Sequence, residues 1–369
     1  MSAVTWSSIA TDGAARTGWL ETPHGVVRTP TFMPVGTRAA VKAVDSADLA
    51  SVGAEIVLAN VYHLMLRPGA ELVARMGGLH EFMSWGGPLL TDSGGYQIFS
   101  LDPEIDEEGA TFKSVYDGSR VHLSPEEAVG VQARLGPDIA MVLDVCVGLP
   151  APVEEVEAEM RRTLRWAERC LQAHQQDDQG LFGIVQGGVD SDLRAESARE
   201  TAALGFAGFG IGGLSVGEPA DQRNSALEAA VRELPADKPR YVMGLGDTDG
   251  LLDAIMRGAD MFDCVLPTRL ARHGKALSSI GDFNLNNLRF EADDAPVDSN
   301  CSCHTCSTYS KAYLRHLIRM KELSAHRLLS IHNLHYTFQL IAGAGTAIEE
   351  GRFADYVKEV RITRAEGSA

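Results

Sequence analysis

The chain has 369 residues, 45% of them hydrophobic and 22% charged, with a formal net charge of -17. That is enough apolar material for a large core, either as two ordinary domains or as one barrel with additions. The negative balance excludes broad, non-specific nucleic-acid binding, so any RNA contact is expected on one local basic face and should weaken with added salt.

From the N-terminus there is no basic segment leading into an apolar signal core, and no later apolar run is long enough to cross a bilayer. A cytoplasmic protein with no membrane partner is expected. Apolar, β-branched-rich runs that suit buried parallel strands follow at Thr31 to Val35, Glu55 to Ala59, Leu89 to Thr91, Ile139 to Leu143, Phe182 to Val185, Phe206 to Ile211, Tyr241 to Leu245 and Asp260 to Phe262. Several are entered from a helix that stops at glycine, at Gly53, Gly136, Gly205 and Gly258. Glycine accepts the left-handed conformation that ends a helix, so these mark helix-to-strand joints. Eight strands alternating with helices predict a closed (β/α)8 TIM barrel. An open doubly wound sheet is the competitor, and no Gly-x-Gly-x-x-Gly turn supports it.

Just past these strands come Gly36, Asn60, Asp92, Asp144, Gln186, Gly212 with Gly213, Gly246 and Asp263. In a barrel such positions converge on the C-terminal mouth, where barrel enzymes hold their active sites. Three aspartates at equivalent positions make a site a better reading than ordinary polar strand ends.

Two insertions interrupt the pattern. Phe112 to Leu123 alternates about Asp117-Gly118 and reads as a β-hairpin, and Ser124-Pro125-Glu126-Glu127 opens a helix. The stretch from Val153 to Gln172 reads as an ordinary solvated helix with no assigned function. After the eighth strand, Gly281 to Pro296 is a polar loop, followed by a cysteine cluster, a helical region from Ser310 and a tail expected to fray after Arg361. The implied division is 1–280 for the barrel with a hairpin insertion over 93–135, 281–345 for a zinc-binding subdomain, and 346–369 for a C-terminal helix and tail.

Six cysteines are present, three of them within Cys301-Ser-Cys303-His-Thr-Cys306, which is not the framework of a small secreted domain. A reducing compartment follows. Three thiolates this close need a cation, and a tetrahedral site needs a fourth ligand from His304, His326, His332 or His335. His332 is favoured because a ligand from the following helix closes a loop-plus-helix knuckle. Four protein ligands leave no open position, so one structural zinc ion is expected.

The stretch Asp263-Cys264-Val-Leu-Pro-Thr-Arg269, with Arg272, His273 and Lys275 beyond it, joins a strand-end carboxylate to cations suited to a polyanion. Taken alone, Asp263 could simply cap the next helix. With Asp92 across the same mouth, the pair suits displacement at an anomeric carbon, one carboxylate attacking while the other handles a proton. Tyr96 and Met243 could give flat apolar faces to a planar ring, or could equally be core. Asp144 and Gln186 offer an acceptor and a donor edge.

Leu58-Ala-Asn60-Val-Tyr62-His63-Leu-Met-Leu-Arg67-Pro-Gly69, Thr91-Asp92-Ser-Gly-Gly-Tyr96-Gln97, Gly183-Ile-Val-Gln186-Gly-Gly188, Gly212-Gly213-Leu214-Ser-Val-Gly217-Glu218, Met261-Phe-Asp263-Cys-Val-Leu-Pro-Thr-Arg269 and Cys301 to Cys306 with His332 together resemble the tRNA-guanine transglycosylases, the queuine tRNA-ribosyltransferases. The likeness covers nearly the whole chain. It implies an irregular (β/α)8 barrel with a structural zinc subdomain, acting on guanine at the wobble position of a tRNA anticodon. By matching positions, it implies Asp263 as nucleophile on ribose C1′ and Asp92 as general acid/base. It further implies that Asp144, Gln186, Gly213 and Leu214 read the base edge, Tyr96 and Met243 sandwich the ring, and Cys146 and Glu218 belong to the same pocket. Arg269, Arg272 and Lys275 would hold the RNA, and Cys301, Cys303, Cys306 and His332 would hold zinc. A homodimer is implied too, one subunit orienting the tRNA for the other.

The chain departs from the common bacterial pattern at Asp144-Val145-Cys146-Val147-Gly148, where Asp-Glu-Cys followed by Thr or Pro and then Pro is usual. Val61 stands where Thr is usual, and Leu270 and His273 replace asparagines. Cys146 and Glu218 favour 7-aminomethyl-7-deazaguanine (preQ1) as incoming base, while Val145 pulls toward an altered choice such as queuine. A non-catalytic tRNA-binding subunit would lose the aspartates, which are retained here. A metal-dependent barrel hydrolase would need histidines at the strand ends, and none stands there.

Overall fold

The computed structural model describes residues 3–215 and 217–367. Eight parallel strands close into a barrel, in chain order Thr31–Gly36, Val57–Asn60, Leu89–Asp92, Ile139–Met141, Gly180–Val185, Gly208–Ile211, Arg240–Val242 and Met261–Cys264. The seam closes where Met261 to Cys264 pairs with Thr31 to Pro34. Strands two and three register Asn60 beside Asp92 at their C-terminal ends. Helices return the chain between most strands, as the glycine stops imply; Pro125–Leu135, for example, ends at a left-handed Gly136.

Three antiparallel strands absent from the sequence reading precede the barrel: Thr5–Asp12, Ala15–Thr22 and Gly25–Thr29. They are fastened to the N-terminal end of the barrel by buried charges. Arg16 Nε lies 2.8 Å from Asp260 Oδ1, and Asp260 also accepts the Arg240 N–H at 2.7 Å. Asp138 accepts the N–H groups of His24 and Leu89 and meets both the His24 and His80 rings. Burial works to raise the proton affinity of Asp138, but these partners outweigh it and hold the group below its ordinary value. Asp260 and Asp263, three residues apart, thus serve opposite ends of the eighth strand.

The insertion after strand three is a three-stranded sheet of Glu104–Ile105, Ala110–Lys113 and Arg120–Leu123. The next helix starts at Ser124 with a reciprocal cap to Glu127 and proline in its first turn, an arrangement worth about 1 kcal/mol. Helix Val153–Ala173 is more than a solvated rod: Arg162 and Arg165 pair with Glu107, and the Trp166 indole donates to the Glu107 carbonyl, clipping the insertion to the barrel.

Helices Lys311–Arg319, Leu323–Glu349 and Phe353–Gly367 complete the chain. The long helix runs through residue 345, so a boundary there falls inside it, and its buried side chains belong to the same hydrophobic core as the barrel strands. The tail expected to fray after Arg361 is instead helical. Arg361 pairs with Asp249 and Asp253, and Arg364 with Asp282, so distant carboxylates hold an end that its local sequence would release.

Candidate active site

Asp92 is the last residue of strand three and Asp263 the last but one of strand eight, at one mouth. Asp92 accepts the Asn60 side-chain amide on Oδ2 at 2.6 Å and the Val61 N–H on Oδ1 at 2.9 Å. Burial pushes its pKa up to about 7; the Val61 N–H opposes this, and the negative charges of Asp263 and Asp144 add to it. The charges of the other two carboxylates thus act on Asp92 from the same mouth. Asp92 is therefore poised to give or take a proton near neutrality.

Asp263 is held differently. The Tyr241 hydroxyl at 2.6 Å and the Gly244 N–H at 2.7 Å both donate to Oδ1, while Oδ2 accepts no protein hydrogen bond among the described residues. Burial raises its proton affinity, and these two donors oppose the rise by favouring the anion. The next helix, Leu266–Arg272, is capped at Val265 with no side-chain cap, so Asp263 is not a helix cap.

Between them lies a polar floor. Asp144, 7% exposed, accepts from Gln186 Nε2 at 2.7 Å and from Ser93 Oγ at 3.3 Å, and burial pushes its pKa up to about 6. Gly213, at φ +64°, packs so tightly on Gln186 that a Cβ would lie 2.3 Å from Oε1. A Cβ on Gly95 would lie 2.4 Å from Asp144 Oδ1. Glycine is required at both positions by close approach. Leu214 is buried, Met243 half-buried with its sulfur against Gly210 and Gly212, and Tyr96 is 56% exposed on the helix after strand three. Cys146 is buried and its thiol pushed up to about 12, again by burial. Glu218 accepts the Ser215 N–H.

Two groups escaped the sequence reading. Tyr241 was legible only as a strand residue, although an aromatic hydroxyl inside a barrel strand needs a partner. Arg194, on helix Ser191–Ala203, is fully buried and donates to the carbonyls of Gly188, Val185, Gly212 and Gly213 at 2.7, 3.1, 2.7 and 3.2 Å. It fixes the two glycine turns that underlie the pocket. An arginine in a largely polar helix gives no local sign of that task.

Arg269 is exposed and Arg272 half-buried on the helix after strand eight. Lys275 lies 3.6 Å from Asp282. The sulfurs of Cys301, Cys303 and Cys306 sit 3.6, 3.7 and 3.2 Å from His332 Nδ1. Tetrahedral zinc with these donors requires nitrogen-to-sulfur separations of about 3.5 Å, so the set fits the ion. The other ring nitrogen of His332 meets the Leu277 carbonyl at 2.7 Å, which orients the ligand. His304 turns outward against Tyr309, and His335 reaches only Cys301, at 3.6 Å.

Comparison with known proteins gives a consistent result. Residues 11–366 match the family model described as queuine tRNA-ribosyltransferase. A protein of that name from Moorella thermoacetica is 51% identical over 359 residues, 96% of each chain. Namesakes from Listeria welshimeri and Herpetosiphon aurantiacus are 51% and 49% identical, covering 97% of this chain and 96% and 92% of their own.

Proposed function

Since the chain belongs to the queuine tRNA-ribosyltransferase family and is a tRNA-guanine transglycosylase of queuosine modification, we propose that it exchanges the wobble guanine for a 7-deazaguanine through a covalent aspartyl-ribose intermediate. The observation that carries this reading is the asymmetry of the two carboxylates: Asp263 keeps Oδ2 free while Asp92 has a proton affinity near neutrality. Asp263 Oδ2 attacks C1′ of the ribose as the bond from C1′ to the guanine nitrogen breaks. Asp92 manages the proton of the leaving and then of the incoming base, whose ring nitrogen displaces Asp263. Two displacements at one carbon retain configuration. The target nucleotide must leave its stack to reach the mouth, which a single-stranded anticodon loop permits cheaply.

Asp144, Gln186 and the backbone at Gly213 and Leu214 read the base edge between Tyr96 and Met243, with Cys146 and Glu218 beside them. Arg269, Arg272 and Lys275 take the anticodon loop. PreQ1 is the favoured incoming base, with queuine as the competitor because Val145 alters the pocket wall. Cys301, Cys303, Cys306 and His332 would hold zinc, which supplies fixed geometry and no chemistry. The protein acts in the cytoplasm as a homodimer, for which Tyr313, Met320 and Leu323, exposed apolar residues in the segment that follows the cysteine loop, are candidate contacts.

The test is Asp263→Asn. Guanine release should cease, and the denaturation-resistant protein–RNA adduct of the wild type should vanish; normal turnover would sink the nucleophile assignment. Comparing release of labelled guanine by preQ1 and by queuine settles the incoming base.

A further inference from the structure

The arginines on the outer helices of this acidic chain are largely matched with carboxylates, as Arg165 is with Glu107, Arg169 with Glu126 and Arg361 with Asp249. Three cations beside the mouth are not, whereas Lys275 is paired with Asp282. Arg38 and Lys42 lie on the loop after strand one, and Arg67 lies just past the helix Val61–Leu66 that follows strand two. Among the described residues, none of the three has a carboxylate within ion-pair distance, although all are exposed. The two arginines flank Tyr116, at the tip of the inserted hairpin. The guanidinium carbons of Arg38 and Arg67 lie 5.3 and 4.7 Å from its ring centroid.

The cluster is seated on the active site. The Tyr116 hydroxyl meets His63 Nδ1 at 3.1 Å, and the neighbouring Val115 N–H donates to the Tyr62 hydroxyl at 3.4 Å. Tyr62 and His63 belong to the helix whose first N–H, that of Val61, is bonded to Asp92. Burial lowers the proton affinity of His63, and the charges of Arg38 and Lys42 lower it further.

Barrel order supplies the larger geometry. Strand eight pairs with strand one, one with two, and two with three. Loops eight, one and two, with the insertion after strand three, therefore form one continuous arc. Its ends are Asp263 and Asp92, and its cations are Arg269, Arg272, Arg38, Lys42 and Arg67. We propose that Arg38 and Arg67, ordered around Tyr116, with Lys42 on the same loop as Arg38, form a second phosphate-binding subsite that holds the RNA strand on the Asp92 side of the mouth, an inference that rests on tRNA being the substrate. Guanidiniums pre-set on an aromatic ring lose little freedom when they bind phosphate; Arg67 feels the charge of the exposed Asp117 but is not in an ion pair with it, so no salt bridge has to break before phosphate binds.

The test uses the full-length, metal-loaded protein and unmodified tRNA with guanine at the wobble position. The paired substitution Arg38→Ala and Arg67→Ala should raise the KM for tRNA about tenfold at low salt and leave kcat and the KM for the free base in place. The slope of log affinity against log salt should fall by about 1.4, for two contacts at roughly 0.7 each on a single strand. Arg38→Lys with Arg67→Lys should restore most of that slope. Unchanged affinity and slope, or a loss in kcat or thermal stability instead of tRNA binding, would overturn the subsite. A wild type that releases no guanine would count against the reaction and leave the binding slope to judge the subsite.

Discussion

Tyr241 donates its hydroxyl hydrogen to Asp263 Oδ1 across 2.6 Å, from the strand paired with the one that ends in the carboxylate. With the Gly244 N–H on the same oxygen, it turns a symmetric carboxylate into one anchored oxygen and one free oxygen. Hydrogen bonds to a charged group are worth about 1.5–3 kcal/mol. Tyr241→Phe should therefore lower kcat by about 10- to 100-fold. Because the lost donor favours the anion, the pKa of Asp263 should rise and the acid limb of the kcat/KM profile should move to higher pH. A reduced rate with an unmoved acid limb would make Tyr241 a packing residue only.

Asp144 makes the energetic cost of the pocket measurable. Burial raises its folded-state pKa to about 6, from 3.8 in the unfolded chain. The folded protein thus binds this proton more tightly, and the group's contribution to stability rises as pH falls from above 6 toward 4. At pH 8 the buried charge is a net cost. Asp144→Asn should raise the midpoint of thermal unfolding at pH 8, with the gain shrinking as pH falls through about 6, while base binding is lost. A gain independent of pH would show that the charge is not the cause.

Arg194 separates base reading from RNA holding. A lysine carries three donors on one point and cannot span the four carbonyls that Arg194 joins. Arg194→Lys should raise the KM for the free base about tenfold and leave the KM for tRNA in place. A merely structural role would lower the unfolding temperature and the active fraction with both KM values unmoved.

Metal removal should act through the helix that carries His332. The neighbouring Asn333 accepts the Leu277 N–H and donates to the carbonyls of Pro267 and Lys275, so the metal knuckle and the Arg269 helix share one brace. Chelation should release one equivalent of zinc and speed hydrogen exchange in 323–349 and 266–277. tRNA affinity should fall before exchange of bound substrate slows. Immediate inhibition with exchange protection intact would point to a metal in the chemistry.

The eight barrel strands, the glycine stops, the Ser124 cap and the cysteine spacing were legible because each is a local pattern: residues a few positions apart fix a period, a turn or a ligand loop. The aspartates could be nominated because strand ends in a barrel share one mouth. The N-terminal sheet was missed because its half-exposed strands depend on Arg16 meeting Asp260 and His24 meeting Asp138, contacts spanning 244 and 114 residues of chain. The fraying expected after Arg361 failed for the same reason, since its ion pairs reach distant carboxylates. Sequence thus determined which groups stand at the mouth and which residues can ligate a metal. Only the tertiary structure decided which oxygen of Asp263 is free, how strongly Asp92 and Asp144 hold a proton, and which arginine braces the pocket, because burial and partners far along the chain set those properties.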